Sequence, residues 1–240
     1  MKLTDYFQRI YIINLPYRTD RKREINAQLK KIGLSLEHPQ IDLFPAVRPD
    51  DAGYFPSIGA RGCFMSHLNI LRDAKKRGLE NVLIIEDDLD FSPDFNSRID
   101  AAIVELTNSN WGVFYGGGRL LSDVELSNNS ELSKVNHDIS IQTTHFIGFN
   151  QSIIAAMMDH LESILTRPAG HPDGGPMHVD GAYSWFRRHH QDVLTLIAVN
   201  ELGHQRSSRT DIHELRWFDK TPVISVIVDA IRCTKRIMAR

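Results

Sequence analysis

The sequence predicts an α/β fold built on a mostly parallel central sheet. Two observations carry this. Short β-branched runs alternate along the chain with segments whose apolar residues recur at helical spacing. One such run, residues 82–85 (VLII), passes directly into Glu86, Asp87 and Asp88. A run of this kind reads as a strand buried on both faces, and open α/β sheets bind their ligands just outside the carboxyl ends of such strands.

The elements follow in order. Residues 9–15 (RIYIINL) are the first predicted strand, ended by Pro16. A helix over 20–31 places Ile25, Leu29 and Ile32 on one face, with Gly33 as its C-terminal cap. Residues 40–44 make a second strand, and 45–57, with Pro49, Asp50, Asp51, Gly53 and Pro56, a turn-rich loop. The next helix spans 61–77, buries Phe64, Leu68 and Leu71, and is closed by Gly78. After the acidic strand, Ser92-Pro93 supplies an N-cap and a first-position proline for a helix reaching residue 106. Residues 111–115 are a strand broken by Gly116, Gly117 and Gly118, which read as a flexible turn. Residues 122–138 are loop, 139–149 extended and 152–166 helical. The segment 168–176 (PAGHPDGGP) can hold no regular element. A helix over 179–190 and a strand over 193–199 precede a polar stretch, 200–213. With no internal repeat and no low-complexity linker, residues 1–221 read as one domain, followed by a basic amphipathic helix over 222–240.

The 240 residues, 42% hydrophobic and 24% charged, are ordinary globular composition, and a net charge of −2 argues against a general nucleic-acid binder. Cys63 and Cys233 are too few for a disulfide framework, so free thiols in a reducing compartment are expected. Residues 1–16 contain no continuous apolar core of a signal peptide, and no stretch reaches the length of a membrane span. The expectation is therefore a cytoplasmic protein in which the N-x-S sequons at Asn128 and Asn150 carry no meaning. The tail has two readings. Its apolar side (Val223, Val226, Ile227, Ala230, Ile231) and basic end (Arg232, Lys235, Arg236, Arg240) suit either peripheral contact with an anionic membrane surface or docking on the domain.

The three acids at the strand end would repel one another without a positive partner. A hard divalent cation is the natural one, with Mn²⁺ and Mg²⁺ both suited to carboxylate ligands. Alternate side chains of an extended backbone share a face, so Glu86 and Asp88 are expected to hold one ion while Asp87 points elsewhere. Asp180 stands after the glycine/proline segment at a helix start, where the dipole favours its ionised form. It reads either as a catalytic base or as a helix cap. Arg18 and Arg21 follow the first strand and face either a bound diphosphate or solvent with Lys22 and Arg23. His67 lies one turn from Cys63; His67 is expected to hydrogen-bond near the site without touching metal, and Cys63 to be a small buried hydrophobe. His145 and His204 are candidates for donor or metal contact.

Six segments, taken together, carry a family resemblance. Tyr11-Ile12-Ile13-Asn14-Leu15 with Arg18, Asp20 and Arg21 is the first, and Gly62-Cys63-Phe64-Met65-Ser66-His67 the second. Glu86-Asp87-Asp88, Thr143-Thr144-His145, His178-Val179-Asp180 and the run from Gln205 to residue 212 follow. In that order they resemble the motifs of glycosyltransferase family 25, which includes the lipooligosaccharide sugar transferases. The family usually has Glu where Ala60 stands and Pro where His178 stands. The resemblance implies a GT-A-like nucleotide-sugar-binding fold. It implies metal-dependent, inverting transfer of a hexose from a nucleotide sugar, with UDP the expected nucleotide, to a glycan or lipid-linked glycan. Asn14, Arg18, Arg21, Gly62, His67, His145 and Gln205 would then serve donor binding. Glu86, Asp87 and Asp88 would serve the metal, and Asp180 would be the base. Two other readings use the same residues: a metal-dependent phosphoesterase, and a non-catalytic nucleotide-sugar or glycan binder on the same fold.

Overall fold

The computed structural model describes residues 2–127 and 129–206. Asn128, Cys233, the predicted helix 222–240 and the end of the last motif lie outside them. Helix α1 (Leu3–Tyr6) leads into strand β1 (Arg9–Asn14), then α2 (Thr19–Lys31), β2 (Ile41–Pro45), α3 (Ile58–Arg77) and β3 (Asn81–Glu86). Next come β4 (Leu89–Phe91), α4 (Phe95–Thr107), β5 (Trp111–Tyr115), β6 (Arg119–Leu120), β7 (Leu132–Lys134), β8 (Ile141–Gln142) and β9 (Phe146–Asn150). The described part closes with α5 (Gln151–Thr166), α6 (Val179–His189), β10 (Leu194–Ala198) and β11 (Gly203–Gln205).

A seven-stranded sheet, in the order β2-β1-β3-β9-β5-β10-β7, is the frame. Strands β2, β1, β3, β5 and β10 run one way, and β9 and β7 the other. This is the α/β, mostly parallel architecture the sequence predicts. The side-chain period of two splits the apolar residues between two cores. Ile10, Ile12, Leu83 and Ile85 pack with Ile25 and Leu29 of α2 and Ile99 and Ile103 of α4. Tyr11, Ile13, Val82 and Ile84 pack on the opposite face with Phe64 and Leu68 of α3, Met157 of α5 and Phe186 of α6. Because both faces are covered, β1 and β3 are continuous apolar runs, not alternating ones.

Several boundaries differ from the sequence reading, each for a visible reason. Helix α3 begins at Ile58 because the hydroxyl of Ser57 accepts from the Ala60 amide at 3.0 Å and caps the first turn. Helix α4 opens at Phe95, with Asp94 and not Ser92 as its N-cap, because Ser92 and Pro93 begin a turn that the Phe95 amide closes on Ser92 O at 3.1 Å. The expected single extended segment 139–149 is two strands, broken at Thr143, which has φ 69°. Strand β7 falls within the predicted loop, and β4 pairs antiparallel with β11, a contact between segments far apart in sequence. Gly33 (φ 71°) and Gly78 (φ 64°) do end α2 and α3 as expected. Asn150, in one of the sequons, caps α5 by accepting from the Ser152 amide. No helix among the described residues is long and apolar enough to cross a membrane.

Candidate active site

The parallel register of β1 and β3 pairs Ile13 with Glu86, so the polar residues that end both strands emerge side by side. Beyond them lies a cavity of 900 Å³, within the size range of small-molecule sites. Arg21, Arg48, Gly62, Cys63, Glu86 and Asp87 are on its wall. Of the predicted site residues, Arg21, Gly62, Glu86 and Asp87 line it directly. Asn14 and Asp88 stand behind that wall, bonded to Asp87 and Arg21 on it, and His67 lies behind Glu86 at 3.9 Å.

The acids divide differently from expectation. Strand β3 ends at Glu86, and Asp87 and Asp88 form a turn, so strand alternation no longer governs them. Asp87 is clamped by Asn14 Nδ2, which donates at 2.6 Å, and by Arg21 at 2.8 Å. Asp88 shares Arg21 at 3.5 Å and accepts from Gln205 Nε2 at 3.3 Å, while its Oδ1 is buried without a hydrogen-bond partner. Glu86 keeps the parity of Val82 and Ile84 and so turns to the α3 face. There its Oε1 accepts from Thr144 Oγ1 at 2.8 Å and lies 3.9 Å from His67 Nε2. Asp87 and Asp88 therefore group on Arg21, and Glu86 stands apart with His67.

Electrostatics follow from these partners. Burial pushes the Asp88 carboxyl up to about 7, and the charge of Glu86 adds to the push. Burial also raises Asp87, against the opposing pull of Arg21 and Asn14. Burial works to raise Glu86 as well, but His67, Thr144 and His145 together hold it below the ordinary carboxylate value. The Cys63 thiol is pushed well up by burial and by the neighbouring charges of Glu86, Asp180 and Asp88. An orphaned carboxylate oxygen among crowded acids fits a divalent cation with oxygen ligands: Asp88 Oδ1 is that oxygen, and Glu86, on the cavity wall, is the acid whose charge presses most on it.

The G-C-x-x-S-H segment has a structural logic. A Cβ at Gly62 would stand 2.4 Å from Val47 O, so only glycine lets α3 approach the loop after β2. Ser66 Oγ accepts from the Val47 amide at 2.8 Å and donates to Gly62 O at 2.7 Å, fixing that approach. Ala60 occupies the third position of α3, is buried, and is not among the residues lining the cavity. A glutamate there is the reciprocal half of a capping box with Ser57. The departure at residue 60 thus falls on the helix cap. His178, the N-cap of α6, has φ −60°, the angle a proline would impose, so that departure leaves the backbone path intact.

The remaining predicted residues are spread around the site. Arg18 grips Asp20 at 3.1 and 2.9 Å and holds its carboxyl down to about 2. His145 is buried, with Nε2 3.1 Å from Gly203 O. A Cβ at Gly117 would meet both that carbonyl, at 2.1 Å, and the His145 ring, so the glycine run serves close packing and is not the flexible turn expected. His204 lies 3.9 Å from Asp90. Asp180 is in the first turn of α6, not at its cap; its oxygens accept from the amides of Gly181 at 2.7 Å and Thr143 at 3.2 Å. The sequence reading missed the partners that hold these groups: Thr144 on Glu86, the Tyr183 hydroxyl 2.9 Å from His67 Nδ1, and Arg48 over the Tyr17 ring at 5.3 Å. Of these, only Thr144 fell within a segment the sequence singled out, Thr143-Thr144-His145.

The profile of glycosyltransferase family 25 (LPS biosynthesis protein) matches residues 7–137. The chain belongs to glycosyltransferase family 25. That match contains Asn14, Arg21, Gly62, His67 and the three acids, and ends before His145, Asp180 and Gln205. Curated family 25 relatives include the inactive glycosyltransferase 25 family member 3 of Homo sapiens, 28% identical over 129 residues, 46% of this chain and 22% of that protein. They also include procollagen galactosyltransferase 1 of Danio rerio, 30% identical over 129 residues, 46% of this chain and 21% of that protein. The alignments thus span only a minor part of those longer relatives. Among solved structures, a glycosyltransferase involved in glycosylation of the major capsid of PBCV-1 aligns at TM-score 0.34 and 14% identity. That alignment covers 79% of this chain and 93% of that one.

Proposed function

We propose that this family 25 chain transfers a hexose from a nucleotide sugar to a hydroxyl of a glycan or lipid-linked glycan, with inversion at the anomeric carbon. The observation that carries the reading is the convergence of Arg21, Gly62, Glu86 and Asp87 on one cavity at the carboxyl ends of β1 and β3. In this reading the diphosphate of a UDP-sugar lies against Arg21 and the start of α3, where the guanidinium and the helix dipole both favour anionic oxygens. Glu86 and Asp88 would hold Mn²⁺ or Mg²⁺, whose chemistry is to stabilise the departing nucleoside diphosphate. Asp87, paired with Arg21 and hydrogen-bonded by Asn14, orients those two groups. Asp180 takes the proton of the attacking hydroxyl; its present bonds to backbone amides leave lone pairs free for that donor. A lipid-linked acceptor would place the enzyme at the inner face of a membrane in the cytoplasm.

A second reading has its own support. Some relatives of comparable similarity are named inactive, so donor binding without transfer is the rival outcome. A thermal-shift screen of nucleotide sugars with and without Mn²⁺, followed by donor hydrolysis without acceptor, separates the two. Stabilisation that needs both uridine and metal, with slow hydrolysis, supports transfer. Stabilisation without hydrolysis or transfer supports a binder, and no metal-dependent stabilisation by any nucleotide sugar overturns both.

A further inference from the structure

Cys63 and His67 stand one turn apart on α3, and Glu86 reaches the same face from the end of β3. One ligand atom from each, Sγ, a ring nitrogen and a carboxylate oxygen, lies within 4.8 Å of the other two. His67 is wholly buried, and its Nδ1 lies 2.9 Å from the Tyr183 hydroxyl. Its Nε2 has no hydrogen-bond partner and stops 3.9 Å short of Glu86 Oε1. A buried ring nitrogen left this way is uncommon, and 3.9 Å is too long for a hydrogen bond. It is close to the spacing of two ligands on one ion. With zinc–nitrogen and zinc–oxygen bonds of about 2.0–2.2 Å, a tetrahedral angle puts the two atoms about 3.3–3.6 Å apart. A closure of a few tenths of an ångström would bring these two atoms to one ion, and the Cys63 sulfur, within 4.8 Å of both, would have to come in by up to about 1 Å, a side-chain rotation.

The surroundings are those of a metal centre. Tyr183 fixes the histidine ring from its far nitrogen, and Thr144 fixes Glu86 by donating to Oε1 at 2.8 Å. Cys63 and Glu86 are on the cavity wall, so an ion has a way in and a fourth position faces the open space. The donor set of sulfur, imidazole and carboxylate is the choice of a borderline-soft ion, not of Mg²⁺.

We propose that Cys63, His67 and Glu86 form a three-ligand site for a borderline-soft divalent cation of the Zn²⁺ class, with the fourth position open to the cavity. Binding breaks the Cys63 S–H bond, forms a sulfur–metal bond and releases one proton to solvent. The site shares Glu86 with the proposed transferase reading but needs neither donor nor transfer. It is independent of that reading. A soft ion held there would take Glu86 away from the hard cation, so Zn²⁺ would compete with Mn²⁺-dependent donor binding.

Cobalt titrated into the full chain tests the site, since a thiolate on Co²⁺ gives a charge-transfer absorption. The expected result is such a band saturating at one equivalent, displaced by Zn²⁺, kept in Cys233→Ser and lost in Cys63→Ser. No band, or a band kept in Cys63→Ser and lost in Cys233→Ser, overturns the proposal. Should Cys63→Ser fail to fold, Cys233→Ser alone decides. Zn²⁺ should slow alkylation of its single thiol by about tenfold or more, as metal ligation removes the free thiolate. Equal rates with and without Zn²⁺ overturn the proposal. Mn²⁺-dependent nucleotide-sugar binding without a cobalt band would sink this inference alone. A cobalt band without any nucleotide-sugar binding would sink only the transferase reading.

Discussion

Asn14, Arg21 and Asp87 meet where two neighbouring parallel strands end, and each is fixed by a side-chain partner, at 2.6 Å for Asn14 and 2.8 Å for Arg21. Asp180 and His145, which do not line the cavity, are held by backbone: Asp180 by the amides of Thr143 and Gly181, His145 by the carbonyl of Gly203. In the first group Asp87 is paired with Arg21 before any ligand arrives. The second keeps a carboxylate bound only by dipoles, next to a residue, Thr143, at a positive φ that β-branched side chains rarely adopt. The contrast assigns the groups different work. A prepaired cluster suits holding a charged donor in place, and a carboxylate held by backbone amides suits accepting a proton.

The sharpest way to break this contrast is Asp180→Asn. Loss of a general base should cut transfer by about 10²–10⁴-fold, with metal-dependent donor binding unchanged. Because Asp180 also supports Thr143, thermal stability is measured alongside. A fall in stability with transfer near wild type would make Asp180 a support for the positive-φ turn and nothing more.

Asp88→Asn should act on the other group. Mn²⁺-dependent nucleotide affinity is expected to drop about 10–100-fold, the range for a disturbed metal site. The pH dependence carries the same signature. With its carboxyl pushed up to about 7 from an ordinary 3.8, the folded metal-free protein keeps a proton on Asp88 that the unfolded chain has lost. Between those values Asp88 therefore lowers stability as pH rises, and Asp88→Asn should remove that slope. Metal competes with the same proton, so apparent Mn²⁺ affinity should climb as pH rises toward 7. An Mn²⁺ affinity that is flat in pH and indifferent to the substitution would remove Asp88 from the site.

The two groups were also unequally legible in the sequence. Strands β1 and β3 announce themselves because both faces of each are buried, and the acids that follow Ile85 stand where a parallel sheet places its ligands. What local pattern could not supply was the turn at Asp87 and Asp88, which ends strand alternation and regroups the acids on Arg21. The second group depends on contacts between distant segments. The pairing of β11 with β4, which carries Gln205 to Asp88, joins residues with no periodicity of their own. Gly117 looks like a loop residue until Gly203 and His145 are seen pressed against it. Arg187 is buried outright because the carbonyls of Val135, Asn136 and Ile139 and the hydroxyl of Thr195 surround its guanidinium. Nothing near it in sequence signals that.

The smallest expected effect concerns the start of α3. Ser57, Ile58, Gly59 and Gly62 line the cavity, while His67, farther along the same helix, reaches Tyr183 of α6. The helix start is capped by one side-chain bond, Ser57 Oγ from the Ala60 amide, and with alanine at residue 60 the reciprocal half of a capping box is missing. Ser57→Ala should therefore cost about 1 kcal/mol of stability. For a chain of this size that is a fall in melting temperature of about 2–4 °C. Nucleotide-sugar affinity should change little, because in the proposed reading the α3 start acts on the diphosphate through its backbone dipole, which the loss of one side-chain cap leaves in place. A melting temperature that stays put while affinity falls tenfold would reverse the assignment. The Ser57 hydroxyl would then be a direct ligand contact, and the start of α3 would bind the donor through that side chain and not through its backbone dipole alone.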